Sequence, residues 1–405
     1  MVPEGWVKKS LEDVAEIRTG VAKGKKSLKD PVSLPYLRVA NVQDGYLDLS
    51  EMKTIEVNGK DIERYSLKDG DVVLTEGGDF DKLGRGTIWR DEVPGCLHQN
   101  HVFAVRVDRA QLLPEFFAMQ SGGFYGKKYF LSCAKRSTNL ASINSTQLKQ
   151  FPAIIPPLPE QKKIAEILGT WDRAIETASM QLKNASAQKR ALMQHLLTGT
   201  HRLKGFEGSE WKTVRIGDIA SEYSKRNKDD AELTVISCTK TIGFVNSLDY
   251  FKKKVFSDDL TGYKIIKRGQ IGYPSNHIEE GSIGLQNLYN EAIVSPIYTV
   301  FETGDTVSPL YLFRLLKTDR YRQIFAAATN ASVDRRGSLR WSAFSSISVS
   351  LPSLEEQRAI NDVLCCTESE VKKANEHLSH LRTEKRALMQ QLLTGKTRVK
   401  VEAEA

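Results

Sequence analysis

The stretch Lys-Arg-Ala-Leu-Met-Gln-His-Leu-Leu-Thr-Gly at residues 189–199 occurs again at residues 385–395, with ten of its eleven positions identical. The same offset of 196 residues gives 20 identities in the 49 positions from Pro156 to Lys204, without any insertion. Repetition at a fixed offset indicates a duplicated architecture. Two equivalent segments therefore divide the chain.

Each copy of the repeat predicts one long helix. Its seam residues step alternately by four and three positions, which is the spacing of a coiled coil. The first seam comprises Ile164, Leu168, Trp171, Ile175, Ala178, Leu182, Ala185, Lys189, Leu192 and Leu196, and the second comprises Ile360, Leu364, Thr367, Val371, Ala374, Leu378, Leu381, Lys385, Leu388 and Leu392. Because an apolar stripe of this length needs a partner, we expect the two helices to pair as an antiparallel coiled coil.

The ends of the repeats carry helix-boundary signals. Pro159 suits a first helical turn, and Ser353 with Glu356 predicts a capping box. Gly199 and Gly395 follow the last periodic leucines and predict C-terminal caps. At 1.5 Å per residue, about 39 residues would form a rod of roughly 58 Å, so we expect the helices to act as spacers.

The regions in front of the helices show a fainter repeat. Trp6 and Asp13 are matched in spacing by Trp211 and Asp218, and both regions contain short alternating or β-branched runs that predict strands. These runs are 34–42, 71–75, 86–89 and 101–107 in the first region, and 233–237, 270–273, 281–285 and 293–301 in the second. Each region therefore predicts a globular domain of mixed strands and helices.

These patterns together predict an α+β protein with a pseudo-twofold internal duplication. We place the first domain at residues 1–155, the first spacer helix at 156–204, the second domain at 205–351 and the second spacer helix at 352–405. With 405 residues, the chain is long enough for two domains that each bury a core.

Composition narrows the class of protein only slightly. The formal net charge of +8 is distributed along the chain, which is compatible with DNA binding by local basic patches but not specific to it. The five cysteines form no Cys-x-x-Cys pair, and we interpret them as reduced. The N-terminus lacks an apolar signal core, and no stretch approaches the 18 apolar residues of a membrane helix, so we expect a soluble cytoplasmic protein.

The sequence contains no convincing catalytic set. Three residues separate Gly20 from Gly24, whereas a phosphate-binding loop has four, so the lysines that follow indicate a basic surface loop. His98 and His101 beside Cys96 have a spacing that can hold metal, but such pairs are more often structural, and we predict no metal site. The acidic residues Glu76, Asp79 and Asp81 lie among glycines, which favours a turn.

Basic residues grouped in loops are the remaining candidates, and several lie beside aromatic residues. Lysines there can neutralise phosphates, and arginines can also bind guanine edges. The candidates in the first domain are Lys23, Lys25, Lys26, Lys29, Lys82, Arg85, Arg90, Lys127, Lys128, Lys135 and Arg136. Those in the second domain are Lys225, Arg226, Lys228, Lys252, Lys253, Lys254, Arg335, Arg336 and Arg340. Any one run alone is more often a solvated face, but two similar domains with such loops favour recognition of a two-part site.

Pro-Pro-Leu-Pro-Glu-Gln at 156–161 opens a helix that ends in Leu-Leu-Thr-Gly, and the pattern returns after Leu-Pro-Ser-Leu-Glu-Glu-Gln at 351–357. In this the chain resembles the specificity subunits of Type I restriction-modification systems over its entire length. The resemblance implies two target recognition domains, each reading half of a bipartite DNA site, and helices that set the spacer and dock two methyltransferase subunits.

The same resemblance implies that S-adenosylmethionine, ATP and Mg²⁺ are bound by the methyltransferase and restriction subunits, with no cofactor on this chain. Residues identical in both helices are our candidates for docking: Lys189, Arg190, Met193, Gln194, Lys385, Arg386, Met389 and Gln390. Two other interpretations stay open on the sequence alone: a self-contained methyltransferase or nuclease of unfamiliar pattern, and a coiled-coil scaffold that binds only proteins.

Overall fold

The computed structural model describes residues 2–23, 31–80, 82–136, 141–330 and 337–401. The chain forms two compact units. The first unit contains Met1–Met180 and Glu376–Ala405, and the second contains Gln181–Asn375. Each unit therefore combines one globular domain with the start of one long helix and the end of the other.

The first domain is rich in strands and also contains short helices. In chain order its elements are β1 (Val7–Ser10), β2 (Ala15–Thr19), β3 (Pro31–Leu37), β4 (Lys53–Asn58), α1 (Ile62–Tyr65), β5 (Val72–Thr75), β6 (Gly77–Gly78), β7 (Gly86–Ile88), β8 (Leu97–His98), β9 (Val102–Val107), α2 (Pro114–Gly122), α3 (Phe124–Cys133), β10 (Lys135–Arg136), β11 (Ala141–Ser142), α4 (Ser145–Lys149) and β12 (Pro152–Ile155). The long helix α5 (Leu158–Thr198) follows.

The second domain repeats this layout with β13 (Lys212–Arg215), α6 (Ile216–Ile219), β14 (Ala220–Glu222), β15 (Ile236–Thr239), β16 (Gly243–Asn246), α7 (Ser247–Phe251), β17 (Lys264–Lys267), β18 (Ile271–Pro274), β19 (Gly284–Leu285), β20 (Glu291–Val294), β21 (Tyr298–Thr303), α8 (Pro309–Leu316), α9 (Asp319–Asn330), α10 (Trp341–Phe344) and β22 (Ser348–Leu351). The second long helix is α11 (Leu354–Leu392).

A four-stranded antiparallel sheet forms the centre of each domain. Its strand order is β2-β9-β5-β7 in the first domain and β14-β21-β18-β19 in the second. The central pairs have matching registers, since Leu74 lies opposite Phe103 and Tyr273 lies opposite Thr299. This shared order confirms the duplication that the sequence predicts.

Aromatic side chains fill the core beneath each sheet. In the first domain the ring of Phe151 lies 5.3–5.9 Å from the rings of Phe117, Tyr125, Tyr129 and Phe130. In the second, the ring of Phe344 lies 4.8–5.9 Å from those of Tyr273, Phe301, Phe325 and Trp341. Apolar residues at the start of the adjoining helix complete both cores, among them Leu168 and Leu364, which are fully buried.

All eight predicted strand runs contain strand residues, but some end early. The run 34–42 is a strand only as far as Leu37, because the Asn41 side chain accepts a hydrogen bond from the Arg38 N–H and donates to the Asp48 carbonyl. These bonds stabilise a turn instead. In the run 281–285 only Gly284–Leu285 is a strand.

The two long helices have the predicted seam. Every seam position of α5 and α11 is buried or half-buried. Gly199 and Gly395 adopt the left-handed φ angles of +71° and +70° that C-terminal caps require. The predicted capping box is only half present, since the Ser353 hydroxyl accepts the Glu356 N–H at 3.3 Å while the Glu356 carboxylate binds Arg202 instead. The residue bounds predicted for the four segments stay a prediction.

Within each unit the two helical segments run antiparallel. In the first unit Asp172 pairs with Lys385, and Glu160 pairs with Arg398, so residue numbers fall on one segment as they rise on the other. The second unit has the equivalent pairs Lys189–Glu368 at 3.4 Å and Arg202–Glu356 at 2.6 Å. Each unit thus shows the antiparallel pairing that the seam predicts.

A buried glutamine near the start of each helix attaches the domain to it. Gln161 accepts a hydrogen bond from the Leu113 N–H and donates to the carbonyls of Gln111 and Pro156, all at 2.8 Å. Gln357 makes the equivalent bonds in the second unit, accepting from the Ser308 N–H at 2.8 Å and donating to the carbonyls of Pro352 and Thr306 at 3.0 and 3.4 Å. We call each set a glutamine clamp.

An ion pair between an arginine and a buried glutamate lies beside each clamp. Arg398 binds Glu160 and donates to the Glu4 carbonyl at 2.8 Å, and its guanidinium lies 5.8 Å from the Trp6 ring. In the second unit Arg202 binds Glu356, donates to the Ser209 carbonyl at 2.7 Å and lies 5.5 Å from the Trp211 ring. These contacts fix the first residues of each domain to the helices.

Candidate nucleic-acid interface

Several predicted basic residues of the first domain are paired with carboxylates of the same domain. Lys82 pairs with Asp79, Arg90 with Glu115, and Lys127 with Asp44. Exposed ion pairs of this kind contribute only about 0–1 kcal/mol. A DNA phosphate could therefore displace these carboxylates, although each of the three cations is paired in the free protein. The Lys82–Asp79 pair also accounts for part of the acidic turn that the sequence predicts.

The other candidates of the first domain are scattered. The Lys23 ammonium lies 5.9 Å from the Tyr36 ring, at the edge of a cleft of about 450 Å³. Arg85 donates to the Val39 carbonyl at 3.1 Å, which is a structural contact. Lys135 is exposed on β10, which also contains Arg136. Lys25, Lys26 and Lys29 lie outside the described residues.

In the second domain the basic runs lie on exposed segments. Lys225, Arg226 and Lys228 are exposed, and the backbone of Arg226 pairs with that of Lys264. Lys252 and Lys253 are exposed, with Lys252 in the left-handed region at φ +56°, and Lys254 pairs with Asp258. Arg335 and Arg336 lie outside the described residues. Arg340 lines a large cleft.

This cleft, of about 640 Å³, lies where three segments of the second domain converge. The Ser275 N–H, just after β18, donates to the Ile297 carbonyl, just before β21, at 3.3 Å. The Leu339 N–H, just before α10, donates to the Ser275 carbonyl at 2.8 Å. Backbone hydrogen bonds therefore hold all three segments at one end of the central sheet.

Polar, basic and aromatic side chains line the cleft together. Its lining includes Glu222, Lys264, Asn276, Arg340 and Trp341. The Lys264 ammonium donates to the Tyr298 carbonyl at 2.6 Å. Burial lowers the pKa of Lys264; the nearby Glu222 carboxylate raises it, and the Arg226 guanidinium lowers it further. We call this surface the second-domain cleft.

Sequence reasoning identified Arg340, but it missed Lys264 and Asn276. Lys264 begins a buried strand, and Asn276 follows another, so neither belongs to a charged run. No local pattern brings these residues together. Only the strand pairing does so.

The corresponding part of the first domain carries different chemistry. The Glu76 N–H donates to the His101 carbonyl, and the Ile143 N–H donates to the Glu76 carbonyl, both at 2.9 Å, which repeats the backbone bonds of the second domain. The Glu76 carboxylate is hydrogen-bonded to the His101 ring. At the offset of 196, Asn144 and Ser145 stand where the second domain has Arg340 and Trp341.

The histidine spacing near Cys96 has a structural explanation. His98 is fully buried with Nδ1 2.6 Å from the Val102 carbonyl oxygen, whereas His101 is exposed and bound to Glu76. Burial lowers the pKa of His98, which favours its neutral form. Among the described residues these groups do not form a metal-binding cluster.

The docking candidates on the helices divide into internal and exposed residues. Lys189 and Lys385 pair with Glu368 and Asp172, and Met193 and Met389 pack against the domain cores. Packing inside each unit therefore explains these four identities. Only Arg190, Gln194, Arg386 and Gln390 are exposed.

One exposed apolar feature lies beside Gln390. Phe124, whose side chain is largely exposed, and Lys128 line a cleft of about 210 Å³ together with Met389, Gln390 and Leu393. Lys128, predicted as a DNA contact, thus lies beside the docking candidates. Within the described ranges, the helices are all too short or too polar to cross a bilayer.

Comparison with known proteins finds similarity to one group of proteins. Residues 3–185 match the model of the Type I restriction modification DNA specificity domain. The putative type I restriction enzyme MjaX specificity subunit of Methanocaldococcus jannaschii is 26% identical, with 98% of this chain and 95% of that protein aligned. The EcoKI specificity subunit of Escherichia coli K12 is 25% identical over 52% of this chain and 45% of its own length.

A solved structure has the same fold. The HsdS subunit of Thermoanaerobacter tengcongensis superposes with a TM-score of 0.53 at 16% identity, covering 98% of both chains. The family model covers the first domain with the start of α5, and the MjaX relative extends the similarity through the second domain and α11. Over nearly its whole length the chain is therefore similar to a putative specificity subunit of a type I restriction enzyme, and its first 185 residues match the DNA specificity domain of Type I restriction-modification systems.

Proposed function

We propose that this chain is the non-catalytic DNA-specificity subunit of a Type I restriction-modification complex, and that each domain reads one half of a bipartite site on double-stranded DNA. The observation that carries the proposal is the repeated domain: the same four-stranded sheet occurs twice in one chain, attached each time to a helix by a glutamine clamp. Two copies of one reader suit two half-sites.

The interpretations as a self-contained enzyme or as a protein scaffold are not retained, because the relative that aligns with 98% of the chain is named a putative specificity subunit. In the proposed complex the chain binds two methyltransferase subunits and, through them, restriction subunits. S-adenosylmethionine, ATP and Mg²⁺ would then be bound by those partners, which perform adenine methylation and cleavage. This chain itself would bind one DNA sequence and set the distance between its two half-sites.

Exchange of one domain tests the proposal. Residues 205–351 are replaced by the equivalent segment of another specificity subunit, and the chimera is expressed with its methyltransferase partner. Because each domain has its own core and clamp, we expect the methylated consensus to change in one half-site only. Sequencing of methylated DNA gives the result. A folded chimera that loses both half-sites would count against separate readers.

The exposed repeat residues support a proposed docking surface for the methyltransferase subunits. Arg190 with Gln194 and Arg386 with Gln390 are the identical pairs that internal packing leaves exposed. Changing both arginines to glutamate should weaken methyltransferase binding at least tenfold, since each variant charge would repel the carboxylates that an arginine attracts. Calorimetric titration with the methyltransferase subunit measures this effect.

The matched control for that experiment changes exposed cations of the same helices that lie outside the nearly identical stretches 189–199 and 385–395. Lys183 and Arg382 are exposed, so their double replacement by glutamate alters the net charge equally. We expect the control to bind the methyltransferase subunit nearly as the wild type does. Equal affinities of the two double variants would refute docking through Arg190 and Arg386.

A further inference from the structure

We propose that the second-domain cleft is the base-reading surface of its half-site, with Asn276 and Arg340 contacting purine edges, and that the first domain reads different bases. This inference rests on the proposed function and adds residues and base chemistry to it. It is drawn from the cleft geometry, from an acceptor without a partner, and from the different residues at the equivalent place in the first domain.

Within the described chain, the side chain of Asn276 has an acceptor without a hydrogen-bond donor. Its side-chain oxygen is shielded from solvent and has no hydrogen-bond partner among the described residues. A shielded acceptor left without a donor is destabilising, and a bound donor would remove that cost. Once its oxygen rotates into the cleft, the amide can accept from the N6 amine of adenine while donating to N7, a pairing found in the major groove. The free protein thus holds an unmet hydrogen-bonding capacity at the cleft.

Arg340 and Trp341 extend the surface next to Asn276. Arg340 is exposed, and its planar guanidinium can donate to both O6 and N7 of guanine. The Trp341 ring lies 5.6 Å from that of Phe301 and 5.9 Å from that of Phe344, so one part is fixed in the core while the rest lines the cleft. Side chains held this way lose little conformational entropy on binding.

The charges around the cleft favour a polyanion. Among the described residues, Lys264 and Arg340 line it and Arg226 is adjacent to Lys264, whereas Glu222 contributes the one carboxylate of the lining. Phosphates beside the contacted bases would meet these cations. The cleft therefore combines cations for the backbone with an amide and a guanidinium for base edges.

In the described part of the first domain, the equivalent place has different side chains. Glu76 and His101 occupy it, and the Asn144 side chain accepts the Gln147 N–H at 2.8 Å, which caps α4. A carboxylate accepts hydrogen bonds and so suits the amines of cytosine or adenine rather than the acceptors of guanine. The two domains should therefore read different sequences, which makes the bipartite site asymmetric.

Conservative variants test the assignment in the assembled complex. Arg340→Lys keeps the charge but loses the bidentate hydrogen bonding to guanine, and Asn276→Ala removes the side-chain amide. Their matched controls are Arg268→Lys and Asn290→Ala, an exposed pair bonded to each other at 3.3 Å near the opposite end of β18. Each complex is assayed for its methylated consensus and for its affinity to the wild-type duplex, after circular dichroism shows a folded chain.

We expect both cleft variants to relax the second half-site at one or two positions, to leave the first half-site unchanged, and to lower affinity about tenfold or more. The controls should retain the wild-type consensus. If the wild-type complex methylates a bipartite site and both cleft variants do the same, base reading by this cleft is wrong while the proposed function stands. A wild-type complex without any bipartite consensus would overturn the proposed function itself.

Discussion

Replacing Arg202 with alanine should lower the free energy of unfolding of the second unit by about 3 kcal/mol. Arg202 is the cation bound to Glu356, whose side chain is fully buried, so the variant leaves a buried carboxylate without its partner. Breaking such a pair from one side typically costs about 3–5 kcal/mol. Urea unfolding followed by the fluorescence of the second unit's tryptophans, Trp211 and Trp341, measures the change.

The first unit supplies a matched comparison for Arg202. Arg398 makes the same contacts with Glu160, but its side chain is 44% exposed whereas that of Arg202 is 17% exposed. Water can solvate the first-unit pair more readily, so Arg398→Ala should destabilise its unit less. If the two replacements have equal effects, burial of the ion pair does not determine its contribution.

Changing Gln161 to glutamate should be still more damaging, with a loss of more than about 3 kcal/mol near neutral pH. The Gln161 side chain is fully buried, and its amide nitrogen donates to two carbonyls at 2.8 Å. A carboxylate of the same shape would face those carbonyl oxygens with no proton to donate. Chemical denaturation of the variant and the wild type across a pH series measures the loss.

The pH dependence of this variant has a defined sign. The buried glutamate would have a raised pKa, so folding favours its protonated form and the deficit should shrink as pH falls. The control is Gln357→Glu in the second unit, where one of the two donated bonds is 3.4 Å long, so a smaller loss is expected. A deficit that does not change with pH would contradict the clamp as described.

The long helices could be predicted because their signal is local. A seam residue lies three or four positions from the next, and all the seam positions are indeed covered. Only one of the two hydrogen bonds of the predicted capping box is present. The Glu356 carboxylate binds Arg202, which lies 154 residues away, instead of the backbone N–H of Ser353. Local spacing contains no information about such a distant partner.

The candidate site was less predictable for the same reason. Charged runs are visible in the sequence, but their partners are not: Lys127 binds Asp44 across 83 positions. The second-domain cleft gathers Lys264, Asn276 and Arg340 through backbone bonds between separate strands. Because these residues share no run or period, only the pairing of the sheet brings them together.

The glutamine clamps and the second-domain cleft use different parts of the chain. Gln357 binds the loop before α8 and the residue before the helix, whereas the cleft is lined from the ends of β18 and β21 and the start of α10. In evolutionary terms, attachment and recognition are subject to separate constraints. Mutations at cleft positions can accumulate and be selected for a new DNA target, while the glutamine clamp keeps the altered domain attached to the same helix.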